Sequence, residues 1–418
     1  MIDRKKKFLV SAYGCEPNKG SEPGIGWQWC LQFARFGEVH IITRSNNKEN
    51  IDAGLSNLST NVREKLHFYY YDTNEIIRGI KKGDRNLYPY YFCWQIGAYR
   101  LAKKICKSNK FDYCFALTFG SIWMPTFMYK LPIPFVWGPI GGGEAVPDEY
   151  LELMGKKSSI LQRFRKIMIK TARFNPLVIS PIKKAKYVIA RTEDTAKLVP
   201  CKYSSKVKVC LETAIDLSEI SAKDYNEDEK SDKKCRLIYT GRLIKLKGLD
   251  LVFAAISKCS CNNQIEFVLV GDGDQRNHLE SLAKSLNIQD RITFIGKKSR
   301  SELLQILRDG DIYIFPSFKE GGSWALMEAM GCALPVICLD TSGMHIITDE
   351  KSAIRIPVGD SNNTVERYKN AIEKLENDVQ LRQQMGVHAR IRIEKAFNWD
   401  EKGEFLRLQI LDGEDKKC

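Results

Sequence analysis

The sequence predicts an α/β protein built as two doubly wound domains that face each other across a cleft. Three observations carry that reading. At 418 residues the chain has room for two domains of roughly 100 to 200 residues. Its first half holds short apolar runs bounded by Gly and Pro, as strands buried in a parallel sheet do. Its second half alternates strand-like and helix-like segments with the regularity of βαβ units.

In chain order, Phe8–Ala12 is the first strand candidate, and a Gly-rich loop leads from it into a helix over Gly26–Arg35. Val39–Thr43, Phe111–Leu117 and Ile133–Trp137 continue the strand series. Asp216–Lys234 is polar, acidic and poor in apolar residues, so it reads as a linker. That sets domains at 1–215 and 235–398. After the linker come strand 236–240, helix 249–258, strand 265–270, helix 275–286 and strand 292–295. Helix 301–308, strand 312–315, helix 323–330 and strand 336–339 follow. The tail 364–411 is helical in pattern, and 399–418 is expected to pack back on the first domain. In open parallel sheets ligands lie beyond the carboxyl ends of the strands, so the cleft is the default site.

An apolar fraction of 44% with 28% charged residues excludes disorder. The apolar runs fall far short of the roughly 18 residues a spanning helix needs. Arg4–Lys7 precede an apolar stretch too short for a signal peptide, so a cytoplasmic location is expected. The 13 cysteines are scattered and read as reduced. Cys259 and Cys261 are one residue apart rather than two, and the five histidines lack ligand spacing, so no metal is expected. Charge is divided unevenly: residues 1–215 hold 35 basic and 18 acidic side chains, the remainder 30 and 33. A basic half implies an anionic partner, a nucleic acid or a membrane face.

Three motifs carry chemistry. Gly241-Arg242-Leu243-Ile244-Lys245-Leu246-Lys247-Gly248 follows a strand and precedes a helix. A pyrophosphate is suited by such a guanidinium, a point-charge ammonium and glycines that let the backbone approach. Gly271-Asp272-Gly273-Asp274 ends another strand, where its glycines permit a tight turn. Asp272 and Asp274, like Asp309 and Asp311, spell D-x-D, read here as turn and cap residues rather than a metal site. The most specific stretch is Glu320-Gly321-Gly322-Ser323-Trp324-Ala325-Leu326-Met327-Glu328. It sets two carboxylates on either side of a helix N-terminus, whose free N–H groups suit a phosphate.

In order and spacing these three motifs, over roughly 233–400, resemble the retaining glycosyltransferases of family 4, which have the GT-B fold of two Rossmann-like domains. Gly20-Ser21-Glu22-Pro23-Gly24-Ile25-Gly26-Trp27 is similar to that family's first Gly-rich loop. Trp137-Gly138-Pro139-Ile140-Gly141-Gly142-Gly143-Glu144 resembles a loop of a bacterial polysaccharide-assembly branch. The resemblance implies that Arg242 and Lys247 bind the donor pyrophosphate and stabilise the leaving nucleotide without a metal. It implies that Glu320 contacts the transferred sugar and Glu328 the ribose. Gly241, Gly271, Gly273, Gly321, Gly322, Ser323 and Trp324 would complete the donor site, with Gly24, Ile25 and Gly26 closing on it from the other domain. It also implies a UDP- or GDP-linked sugar as substrate, no cofactor, and a lipid-linked saccharide acceptor. Many relatives carry a His near the position of Phe115–Thr118, where this chain has none.

Lys156–Arg173 holds seven basic residues and no acidic one. Ile160, Phe164, Ile167 and Met168 recur at helical spacing, with Arg163, Lys166, Lys170 and Arg173 as a second stripe. Such a helix can lie in an anionic leaflet, so Arg163, Phe164, Lys166, Ile167 and Lys170 are the expected membrane contacts, on the inner face of the cell membrane. A nucleic-acid-binding protein is the rival reading of the basic half, but it leaves the second half's motifs unused. A dehydrogenase is disfavoured because Trp29 stands where the dinucleotide fingerprint needs a third Gly.

Overall fold

The computed structural model describes residues 5–80, 86–225, 234–260 and 265–412. Two parallel sheets organise the described chain. The first contains β1 (Lys6–Ser11), β2 (Gly37–Thr43), β3 (Leu66–Tyr70), β4 (Tyr113–Ala116), β5 (Phe135–Ile140), β6 (Tyr187–Ala190) and β7 (Val207–Val209). Their order is β3-β2-β1-β4-β5-β6-β7. The second contains β8 (Cys235–Thr240), β9 (Ile265–Val270), β10 (Ile292–Gly296), β11 (Ile312–Phe315), β12 (Val336–Leu339) and β13 (Ala353–Ile356). Their order is β10-β9-β8-β11-β12-β13. Parallel neighbours cannot be joined by hairpins, so helices return the chain between them. Each sheet reverses its winding once, between β1 and β4 in the first and between β8 and β11 in the second. Those two reversals are where an open sheet leaves a crevice for ligands.

The expected strands all form, with ends moved by up to three residues. Four more join them. β3, with the sequence Leu-His-Phe-Tyr-Tyr, and β7, with Val-Lys-Val, lie at sheet edges and are half-buried or exposed for most of their length, so neither shows a continuous apolar run. β6 and β13, of four residues each, are the other two.

The chain divides into two compact units, one of 1–143, 167–212 and 399–418, the other of 144–166 and 213–398. The boundary expected at 215 is therefore not the only crossing. Residues 144–166 join the second unit because Val146, Tyr150, Leu151 and Met154 are buried in its core. There Tyr150 stacks on Phe318 with ring centroids 4.8 Å apart, and its hydroxyl lies 2.9 Å from Thr364 Oγ1. The expected linker is also structured over 216–225: Ile220 is buried, and Lys223 Nζ meets Asp311 Oδ1 at 2.7 Å. Positions 226–233 of that stretch lie outside the described residues, as do 413–418 of the expected last helix. Helix Trp399–Leu406 packs in the first unit, where Asp400 pairs with Arg35 at 3.0 Å and the following turn accepts the Tyr113 hydroxyl at Ile410 O.

Candidate active site

Loops after β8 and β11 leave the second sheet side by side at its reversal. Phe318 N–H donates to Leu246 O at 2.9 Å, which ties one loop to the other. Gly248, with φ +62°, closes the first loop; a Cβ there would lie 2.4 Å from Pro316 O. This register brings Lys247, 73 residues from Glu320 in the chain, into an ion pair with its carboxylate. Ser317 Oγ donates to the same Glu320 Oε1 at 3.1 Å, and the Lys247 ammonium sits 5.3 Å from the Phe315 ring centroid. Arg242 lies one residue after Gly241, exposed, and its side chain makes no ion pair among the described residues.

The helix Trp324–Gly331 begins at Ser323, whose hydroxyl accepts Leu326 N–H. Gly321 and Gly322 precede it, and each lies in close contact with a neighbour. The Gly321 carbonyl would be 1.5 Å from a Cβ on Gly343, and a Cβ on Gly322 would be 2.1 Å from Thr213 Oγ1. Indole Nε1 of Trp324 and Thr213 Oγ1 are both buried, and neither has a hydrogen-bond partner among the described residues. Glu328, on the second turn, is 7% exposed. Burial raises its pKa above the usual carboxylate range, and the Arg300 guanidinium bonded to it acts in the opposite direction. Arg300 also reaches Glu219 at 3.3 Å. Neither Arg300 nor Glu219 stands out in the sequence, because nothing in local spacing marks an ion pair between separate elements.

Gly241, Gly271 and Gly273 join the loops to one another. Gly271 has φ +136°, and a Cβ on it would lie 1.9 Å from Gly241 O, while one on Gly273 would lie 2.2 Å from Leu243 O. Leu243 N–H donates to Asp272 O at 3.0 Å and Gln275 N–H to Leu243 O at 3.0 Å. The sequence suggests that these glycines admit a ligand; their direct effect is to let two loops touch. The aspartates have ordinary partners: Asp272 Oδ1 accepts Gly273 N–H, and Asp311 holds Lys223 and Arg236 N–H.

In the first unit, Gly24 and Ile25 lie in the opening turns of the helix Ser21–Ala34 rather than in the expected loop, and Gly26, the expected helix start, is already inside it. Gly26 is there for contact: a Cβ would sit 2.1 Å from Gly14 O. Gly14 N–H donates to Thr118 Oγ1 at 3.0 Å, so the loops after β1 and β4 meet at that sheet's reversal. Nothing in the sequence assigns a role to Glu22. Its carboxylate accepts Phe119 N–H at 2.9 Å and Gly120 N–H at 3.1 Å, and burial nevertheless raises its pKa. It is thereby tied to the loop that follows β4.

Lys156–Thr171 is helical as expected. Ile160, Leu161, Phe164 and Ile167 are 58 to 68% exposed, an apolar stripe left without cover within the described chain. Arg163 and Lys170 are exposed beside it. Lys166 differs from the expectation: its ammonium is held by Asp148 at 2.5 Å. None of the described helices is long and apolar enough to cross a membrane.

Residues 221–392 match the family described as Glycosyl transferases group 1. An uncharacterised glycosyltransferase of Methanocaldococcus jannaschii is 27% identical over 224 residues, 52% of this chain and 56% of that protein. The phosphatidylinositol N-acetylglucosaminyltransferase GPI3 subunit of Saccharomyces cerevisiae is 30% identical over 122 residues, 29% of this chain and 27% of that one. The chain thus spans about half or less of the curated relatives it matches. Among solved structures, Anabaena HepE in complex with UDP superposes with a TM-score of 0.61 at 13% identity, over 97% of this chain and 99% of that one. The fold is GT-B, and the residues that match the group 1 family, 221–392, lie in the second unit.

Proposed function

We propose that the chain is a retaining, metal-independent glycosyltransferase of the family 4 kind. It moves a hexose or N-acetylhexosamine from a UDP- or GDP-linked donor to a hydroxyl of a lipid-linked saccharide in surface polysaccharide assembly. The observation that carries this is the meeting of Lys247 and Glu320 at the reversal of the second sheet, next to the N-terminus of Trp324–Gly331. A nucleoside diphosphate requires several donors and cations converging on one place, and this loop pair supplies them. Arg242 and Lys247 neutralise charge that grows on the leaving diphosphate, and N–H groups of Gly322 and Ser323 face its distal phosphate. Glu328, held by Arg300, receives the ribose hydroxyls. Glu320 orients the transferred sugar, and the acceptor hydroxyl attacks from the face the nucleotide leaves. UDP bound to the structurally similar HepE supports a UDP-linked donor. The lipid in the name of the GPI3 relative supports a lipid-linked acceptor. We place the protein at the cytoplasmic face of the cell membrane, bound through the exposed stripe of Lys156–Thr171.

A panel of UDP-, GDP- and ADP-sugars, read by nucleotide release and by thermal shift, tests the reading. One donor should be turned over and should stabilise the protein. Lys247→Ala and Glu320→Ala should each lower turnover by on the order of 10² or more. Near-normal turnover in both variants would remove this site from catalysis.

A further inference from the structure

Glu38, His40 and His67 stand apart from the loops used above. Their spacing along the chain forms no ligand pattern, but β2 and β3 pair in parallel with His40 directly opposite His67. Glu38, two residues before His40, lies on the same face of the sheet. The two imidazole rings have centroids 4.6 Å apart, and His40 Nε2 is 3.8 Å from Glu38 Oε2. One ligand atom from each of the three residues falls within 4.8 Å of the others.

His40 is 5% exposed. Its Nδ1 lies 3.0 Å from the Tyr69 hydroxyl, whereas its Nε2 is buried with no hydrogen-bond partner among the described residues. With Nδ1–H donating to Tyr69, the lone pair stays on Nε2, the arrangement that outer partners impose on metal-binding histidines. We propose that Glu38, His40 and His67 form a site of two imidazoles and one carboxylate for a divalent transition ion of the zinc class.

Donor atoms around a tetrahedral zinc stand roughly 3.3 Å apart for bonds of about 2.0 to 2.2 Å. Small rotations of the partly exposed Glu38 and His67 side chains close the remaining gap. Lys7 competes for the site, since its ammonium is 2.7 Å from Glu38 Oε2; at 38% side-chain exposure it can turn to water when an ion enters. Two imidazoles disfavour Mg²⁺ and Ca²⁺. Among the described residues β3 is an edge strand paired with β2, and all three residues belong to these two strands of the first unit rather than to a loop. The ion would clip that edge rather than take part in transfer.

Titration of the full-length protein with Co²⁺ and Zn²⁺ tests the site. Wild type should take up a cobalt ion with the visible bands of nitrogen and oxygen ligation, and zinc should raise the midpoint of thermal unfolding. His67→Gln and Glu38→Gln, at partly exposed positions, should keep the far-UV circular dichroism. Each should lose at least the roughly 10- to 100-fold in affinity that loss of even an outer-shell partner costs. Lys7→Met should bind more tightly than wild type. Cobalt bands unchanged in His67→Gln, or sulfur-to-cobalt bands of the kind the exposed Cys201 would give, overturn the assignment.

Discussion

At Glu328, burial and pairing oppose each other. Its carboxylate is placed deep enough that burial outweighs the Arg300 guanidinium, and its pKa ends above the usual range. A glutamate with a raised folded-state pKa binds more protons folded than unfolded. Its contribution to stability is therefore most favourable at low pH and declines as pH rises through the raised value. Glu328→Gln, which never ionises, should gain stability relative to wild type across that window and hold the gain above it, while losing the thermal shift given by the donor. Melts of both proteins from about pH 4 to pH 8 check this; parallel curves would mean that Arg300 compensates the burial in full. Glu22 belongs to the same class, a buried carboxylate whose two backbone N–H donors fix the turn at Phe119 and Gly120. Lys247 and Glu320 were each legible as chemistry-bearing residues. Their contact, and the Arg300 partner of Glu328, were not, because ion pairs between elements leave no trace in local spacing.

Among the elements, the loops after β8 and β9 depend on glycines that let backbone meet backbone. Gly271→Ala would combine φ +136° with a Cβ 1.9 Å from Gly241 O. Backbone strain alone should cost roughly 1 to 3 kcal/mol, and the collision adds to it or forces the loops apart. Denaturant unfolding should show that loss together with weaker donor binding, since Arg242 follows Gly241 directly; unchanged stability would mean the loops separate without cost. In the second sheet β8, β9, β11 and β12 were readable because central parallel strands are apolar on both faces. β3 and β7 were hidden by the polarity that an edge permits. The helix Ser21–Ala34 begins earlier than its glycines suggest, since the cost of Gly24 and Gly26 in a helix is offset by the close approach of Gly14 to Gly26.

Over the whole molecule, charge and apolar exposure point the same way. Residues 1–215 carry an excess of 17 basic over acidic side chains, and within them Ile160, Leu161, Phe164 and Ile167 form an uncovered apolar stripe beside Arg163 and Lys170. Each cation near an anionic leaflet contributes about 1 kcal/mol, and the apolar side chains add burial in the interface. Arg163→Glu with Lys170→Glu should weaken binding to phosphatidylserine vesicles steeply. Ile160→Glu with Phe164→Glu should abolish it at every salt concentration, and co-sedimentation unchanged by either pair would end the membrane assignment. By itself the amino-acid sequence determined the class of fold and most of the central strands, and it singled out Arg242, Lys247, Glu320 and Glu328 as candidates. Apolar periodicity and loop chemistry are local and survive in one dimension. Only the tertiary structure decided that 144–166 joins the second unit, that Arg300 grips Glu328, and that His40 lies opposite His67. Burial and sheet register join residues far apart in the chain, and no spacing rule records that.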